Sequence, residues 1–145
     1  MDFPIRIPFV ESLGFELLRF DADGCEIAVT VKDEQTNSWG VAHGGLTMTL
    51  LDVAMAHAAR SSGGAASREA GGMVTIEMKT SFMRPGLGRL VATGRLLHRT
   101  ASTAFTEASV RDADSQLVAH ATGTFKFLRG LPVGDRRIQR LDASD

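Results

Sequence analysis

Residues 44–60, GGLTMTLLDVAMAHAAR, decide how this chain must fold. No proline interrupts them, Leu, Met and Ala are good helix formers, and apolar side chains fall on nearly every side of the helix. The stretch therefore predicts a long central helix that other elements must bury. Residues 61–72, SSGGAASREAGG, carry glycines and small side chains that predict a mobile loop. Four candidate strands follow: Met73 to Met83, Leu90 to Arg99, Thr103 to Asp112 and Gln116 to Leu128. Their separators are Pro85-Gly86-Leu87-Gly88, Thr100 to Ser102 and Ala113 to Ser115. All are too short for a parallel crossover and predict antiparallel hairpins.

Working back from the helix, Gln35 to Gly40 has no periodicity and carries Asn37, Ser38, Trp39 and Gly40, an irregular connection of the kind that often holds chemistry. Before it, Ile27, Val29 and Val31 alternate with Glu26, Ala28, Thr30 and Lys32, the period of two expected of a strand over Gly24 to Lys32. Met1 to Asp21 contains Pro4, Pro8, Phe9, Val10, Leu13 and Gly14, which predicts a packing arm with one short helix started near a proline and stopped at a glycine. At the other end, Arg136, Arg137, Arg140, Asp142 and Asp145 have few apolar neighbours, so 131–145 is expected to be a solvated tail behind one domain over 1–130. The order is short helix, strand, long apolar helix, four strands. This is an α+β pattern in which one antiparallel sheet wraps a single helix. A leftover sheet edge and a helix too apolar for a surface make a homodimer the expected minimum unit.

The 145 residues suit one domain, and 43% hydrophobic against 23% charged residues can bury a core. A net charge of -1 gives no global field to gather nucleic acid or an anionic membrane, so neither is an expected partner. The lone Cys25 cannot form an internal disulfide and is expected to be a small core residue. Without a charged start leading into an apolar signal core, a cytoplasmic location is expected. The apolar runs also fall short of the roughly 20 residues that span a bilayer.

Asp52 is conspicuous in the middle of the apolar helix, beside Leu50, Leu51, Val53 and Ala54. A carboxylate there is paired, hydrogen-bonded, protonated or kept for chemistry, unless it faces solvent or caps a neighbouring loop. His43-Gly44-Gly45 stands where the helix should start, so that the first amides, which lack intrahelical acceptors, lie behind glycine and are open to a ligand oxygen. The two glycines alone are equally consistent with an easy turn. If His43 and Asp52 share one helix, nine residues place them roughly 13 Å apart and on opposite sides. That separation disfavours a metal site built from His43, Asp52 and His57, because ligands on one helix normally sit three or four residues apart. A two-fold dimer can instead bring Asp52 of one copy to the helix start of the other. The chain also lacks the Gly-x-Ser-x-Gly elbow of a serine hydrolase.

The run Asn37-Ser38-Trp39-Gly40-Val41-Ala42-His43-Gly44-Gly45, with Asp52 nine residues after the histidine, resembles the active-site signature of hotdog-fold acyl-CoA thioesterases of the phenylacetic-acid-degradation (PaaI-like) type. Residues 75–86, TIEMKTSFMRPG, and Ser102 to Phe105 are similar to later segments of that family, and the likeness runs from about Phe9 to Leu128. The resemblance implies an antiparallel sheet of five to six strands around the helix, assembled as dimers and dimers of dimers. It implies hydrolysis of an aromatic or medium-chain acyl-CoA, with coenzyme A as part of the substrate and no separate cofactor. It implies that the Gly44 amide polarises the thioester carbonyl and that Asp52, from the opposite subunit, activates water or attacks the carbonyl. By the same resemblance Asn37 and His43 orient the thioester or the water, and Thr75 helps hold the water. Gly45, Phe82, Met83, Arg84, Pro85, Gly86, Leu87, His98, Arg99 and Ser102 are the implied substrate contacts, with Arg84, His98 and Arg99 near phosphate. Two rival readings are a non-catalytic acyl-CoA-binding or regulatory protein on the same fold, and a hydratase or dehydratase acting on acyl thioesters, whose motif is not found here.

Overall fold

The computed structural model describes residues 1–61 and 72–128, together with Gly134. In order along the chain these form α1 (Pro8–Leu13), β1 (Glu16–Asp21), β2 (Gly24–Thr30), a single 3-10 turn (Asp33–Gln35), α2 (Gly44–Ser61), β3 (Gly72–Phe82), β4 (Arg89–Arg99), β5 (Thr103–Arg111) and β6 (Leu117–Leu128). The interior of the expected mobile loop, 62–71, and the expected tail, 131–145 apart from Gly134, lie outside the described residues. Ser61 and Gly72, at the ends of that loop, belong to α2 and β3.

The six strands form one antiparallel sheet in the order β1-β2-β4-β5-β6-β3. Leu50, Leu51, Ala54, Met55 and Ala58 on α2 are fully buried against Ile27, Leu90, Val110 and Phe125 from the strands. The helix approaches β4 so closely that a Cβ at Gly94 would lie 2.4 Å from the Ala54 carbonyl oxygen. In the same contact Cys25 Sγ donates to that oxygen at 3.1 Å, and burial pushes its thiol up to about 12. Cys25 is thus the small core residue that its sequence position predicted.

Two expectations are corrected. The N-terminal arm holds a strand, β1, after its short helix, joined to β2 through a tight turn at Asp21–Gly24. And 83–88 is no hairpin, since β3 lies at the far edge beside β6 while β4 lies between β2 and β5. The antiparallel order lets β3 end where β4 begins, so the link need cover only three strand spacings, about 14 Å, which six extended residues span easily. Its bonds trace the crossing past the start of α2: Met83 N donates to Val118 O at 2.8 Å, Ala42 N to Gly86 O at 2.8 Å, and Val31 N to Gly88 O at 2.9 Å.

On α2 the residues that are not fully buried are Gly44, Gly45, Met48, Thr49, Asp52 and Ala56. At 100° per residue they share one arc of about 140°. The sheet and the N-terminal arm cover the rest of the helix and leave this stripe open.

Candidate active site

The connection into α2 is tied down before the helix begins. The buried Gln35 donates through Nε2 to Leu13 O at 2.9 Å and accepts Lys32 N–H at 3.0 Å, while its own carbonyl accepts His43 N–H at 2.9 Å. Its position carries no sequence signal beyond a glutamine in an irregular stretch, and it was not among the expected site residues. Between Gln35 and His43 the chain folds back as a small turned loop. Asn37 Oδ1 accepts Trp39 N–H at 2.9 Å and Val41 N–H at 3.4 Å, and Asn37 N donates to Val41 O at 2.8 Å. Gly40 completes the reversal at φ 73°, a left-handed value that suits glycine. The Asn37 side-chain oxygen is thus occupied within the loop, and among the described residues no hydrogen bond involves its Nδ2.

His43 precedes the first helical residue and acts as its cap, since Gly45 N–H donates to His43 Nδ1 at 2.8 Å. Accepting at Nδ1 places the ring proton on Nε2. Gly44 has no such structural task. Its backbone is helical, and a Cβ there would meet the Phe82 ring at 3.6 Å, an ordinary contact. The fold therefore tolerates a side chain at 44, and among the described residues the Gly44 N–H meets no backbone acceptor.

Gly44 lines a hollow of about 680 Å³ together with Asn37, Trp39, Thr47 and the 82–86 segment. His43 and Gly45 line a separate hollow of about 180 Å³ with Phe9, Leu13 and Glu34. A third, of about 460 Å³, lies between the N-terminal arm and β1, away from all of the expected site residues.

Asp52 is half-buried on the open stripe of α2, and Thr75 Oγ1 donates to its Oδ1 at 2.7 Å. Thr75 reaches it because β3 is bulged: Thr75 pairs with Phe125 and Glu77 with Thr124, so Ile76 is the extra residue and the local twist re-aims the side chains. Burial raises the Asp52 carboxyl above the usual carboxylate value, and the Thr75 hydroxyl pulls it part of the way back. Among the described residues no hydrogen bond reaches Oδ2. Eight residues separate Gly44 from Asp52, about 12 Å along the axis, so one chain does not bring them together.

The remaining expected residues divide by place. Phe82, Met83, Arg84, Pro85 and Gly86 line the Gly44 hollow, whereas Leu87 is exposed just beyond it. His98, Arg99 and Ser102 sit at the β4–β5 turn, outside that hollow, where His98 stacks on Phe105 at 6.1 Å and the Arg99 guanidinium lies 4.1 Å over Phe127. His57 is buried against Phe3 and Phe20 and donates through Nδ1 to Val53 O at 2.7 Å. Burial pushes it down to about 4, so it is a neutral core residue near neutral pH.

Residues 40–119 match the family model described as the thioesterase superfamily. The chain is 26% identical over 135 residues to the medium/long-chain acyl-CoA thioesterase YigI of Escherichia coli, covering 85% of this chain and 87% of that one. It is 28% identical over 127 residues to the acyl-coenzyme A thioesterase PaaI of the same organism, with 86% of each covered. Among solved structures, a conserved protein of Pseudomonas aeruginosa superposes with a TM-score of 0.78 at 30% identity, over 86% of this chain and 97% of that chain.

Proposed function

Because this chain belongs to the thioesterase superfamily and has its hotdog architecture, we propose that it hydrolyses an aromatic or medium-chain acyl-CoA to the free acid and coenzyme A. One observation carries this reading. A single helix presents, on one uncovered stripe, an amide that its fold leaves bare and a carboxyl of raised pKa held by a hydroxyl. The two lie too far apart to meet within one copy. A second copy related by a two-fold axis brings each Asp52 to the other's Gly44 and covers the stripe.

In such a pair the thioester carbonyl accepts the Gly44 N–H and the Asn37 amide steadies the substrate. Asp52 Oδ2 takes a proton from water as the water oxygen bonds to the carbonyl carbon. Negative charge moves to the carbonyl oxygen, where the fixed amide lowers the barrier by a few kcal/mol. Collapse breaks the carbon–sulfur bond, and the proton held by Asp52 passes to the leaving thiolate. Thr75 donates to Oδ1 throughout, which keeps Oδ2 aimed at the water.

Asp52→Asn retains an acceptor for Thr75 and removes the base, so thiol release from every acyl-CoA is expected to fall by about 10²- to 10⁴-fold with acyl-CoA binding kept. Undiminished release would reject the mechanism. Tight acyl-CoA binding by the wild-type protein with no thiol release from any acyl group would favour the non-catalytic binder.

A further inference from the structure

We propose that Trp39 sets the acyl preference of this site, its indole covering the acyl group of a thioester whose carbonyl lies at the Gly44 amide. The inference rests on the thioesterase reading above. Trp39 is 87% exposed, the most exposed large apolar side chain among the described residues. Yet its main chain is held in place, by its own N–H bond to Asn37 Oδ1, by the Val41 N–H on the same oxygen and by the Gly40 reversal between them. That mount makes no demand on the side chain, since position 39 contributes only an N–H, which any residue but proline supplies. Phe82 and Met83, both about half exposed, line the same hollow, and an indole on a fixed mount within such an apolar patch, where the fold asks for no aromatic ring, points to a ligand.

The surroundings indicate which part of the ligand it meets. Trp39 lines the hollow that holds the Gly44 amide, on the wall formed with Val41 and Ala42, both apolar. Arg84, the cation of the hollow, comes from the 82–86 wall and suits the anionic coenzyme. Phe82 adds a second ring beside Gly44. The apolar acyl group is therefore the portion that matches the indole, and flat aromatic groups gain most from it.

The chain supplies its own probe, because Trp39 is the sole tryptophan and there is no tyrosine. In full-length Asp52→Asn protein, phenylacetyl-CoA is expected to shift the tryptophan emission, while free coenzyme A leaves it unchanged. In the wild-type background, Trp39→Ala is expected to lower kcat/KM for phenylacetyl-CoA by about 10- to 100-fold and that for acetyl-CoA by less than about threefold, with Trp39→Phe recovering most of the loss. An equal emission shift with free coenzyme A would place the indole on the coenzyme arm and overturn the proposal. So would an emission that is already that of a buried indole and unmoved by any ligand, the result expected if a second copy covers Trp39. Unchanged selectivity in Trp39→Ala would sink this inference while leaving the thioesterase reading intact. Absent thiol release from wild-type protein, with the emission shift retained, would do the reverse.

Discussion

Glycines 44 and 45 are neighbours with different duties, and substitution separates them. Gly44→Ala places a methyl at an ordinary distance from Phe82, so the variant should fold and melt at or above the wild-type temperature while thiol release drops roughly ten- to a hundredfold. At Gly45 the methyl would lie 3.0 Å from His43 Nδ1 and displace the ring that caps the helix. Gly45→Ala should therefore melt below Gly44→Ala in the same thermal scan, because a lost cap, worth about 1 kcal/mol, offsets the gain in helix propensity. As the proposed base, Asp52 would link rate to pH. Its carboxyl is raised in the fold, so the stability it contributes is present below the unfolded value of 3.8 and is lost as pH rises through the folded value. Asp52→Asn should consequently raise the melting temperature at neutral pH, with the gain vanishing as the pH approaches 4. The acid limb of wild-type kcat/KM should lie above that of an exposed aspartate. Asp52 and Gly44 stood out in the sequence because an acid in an apolar helix and a glycine at a helix start each break a pattern. The bonds that His43 and Asn37 make were hidden, since they depend on ring and amide orientation within a few residues.

Among the elements, α2 was legible almost to the residue because eighteen residues without a breaker leave no alternative. β1 was not, and its bulge explains why. Leu17 pairs with Ile27 and Arg19 with Glu26, so Leu18 is an extra residue that destroys the alternation a strand should display. β3 and β4 carry the same irregularity at Ile76 and Leu97, and all three extra residues are exposed, at 45, 57 and 50%. The crossing link 83–88 was misjudged for another reason. Loop length fixes which strand ends meet, and sheet order is decided by the helix that the link has to pass. Close seating of α2 on β4 yields a prediction at this scale. Gly94→Ala drives a methyl into the Ala54 carbonyl, so it should cost about 1–3 kcal/mol in urea unfolding, whereas a Cβ at exposed Gly88 meets no neighbour within 4 Å and is limited only by its φ of 64°.

For the whole molecule, the open stripe on α2 and the outer edge of β3, the last strand in the sheet order, are the surfaces that the proposed second copy would meet. The arrangement makes an arithmetic prediction. Asp52→Asn and Gly44→Ala homodimers are each crippled at both sites, but a mixed dimer combines an intact Gly44 with an intact Asp52 at one of its two sites. Unfolding and refolding the two variants together in equal amounts should restore about a quarter of wild-type turnover, since random pairing makes half the dimers mixed. No recovery in mixtures shown to exchange subunits would mean that each site is built within one chain. The core has a practical corollary. Cys25 is fully enclosed, with its sulfur against the Ala54 carbonyl and its ionisation displaced far into the alkaline range. A chromogenic disulfide reagent added to the native enzyme will therefore count liberated coenzyme alone, without background from the catalyst. When substrate is left out, the same dye becomes a clock for global opening, because each molecule colours once, at the moment its interior meets water.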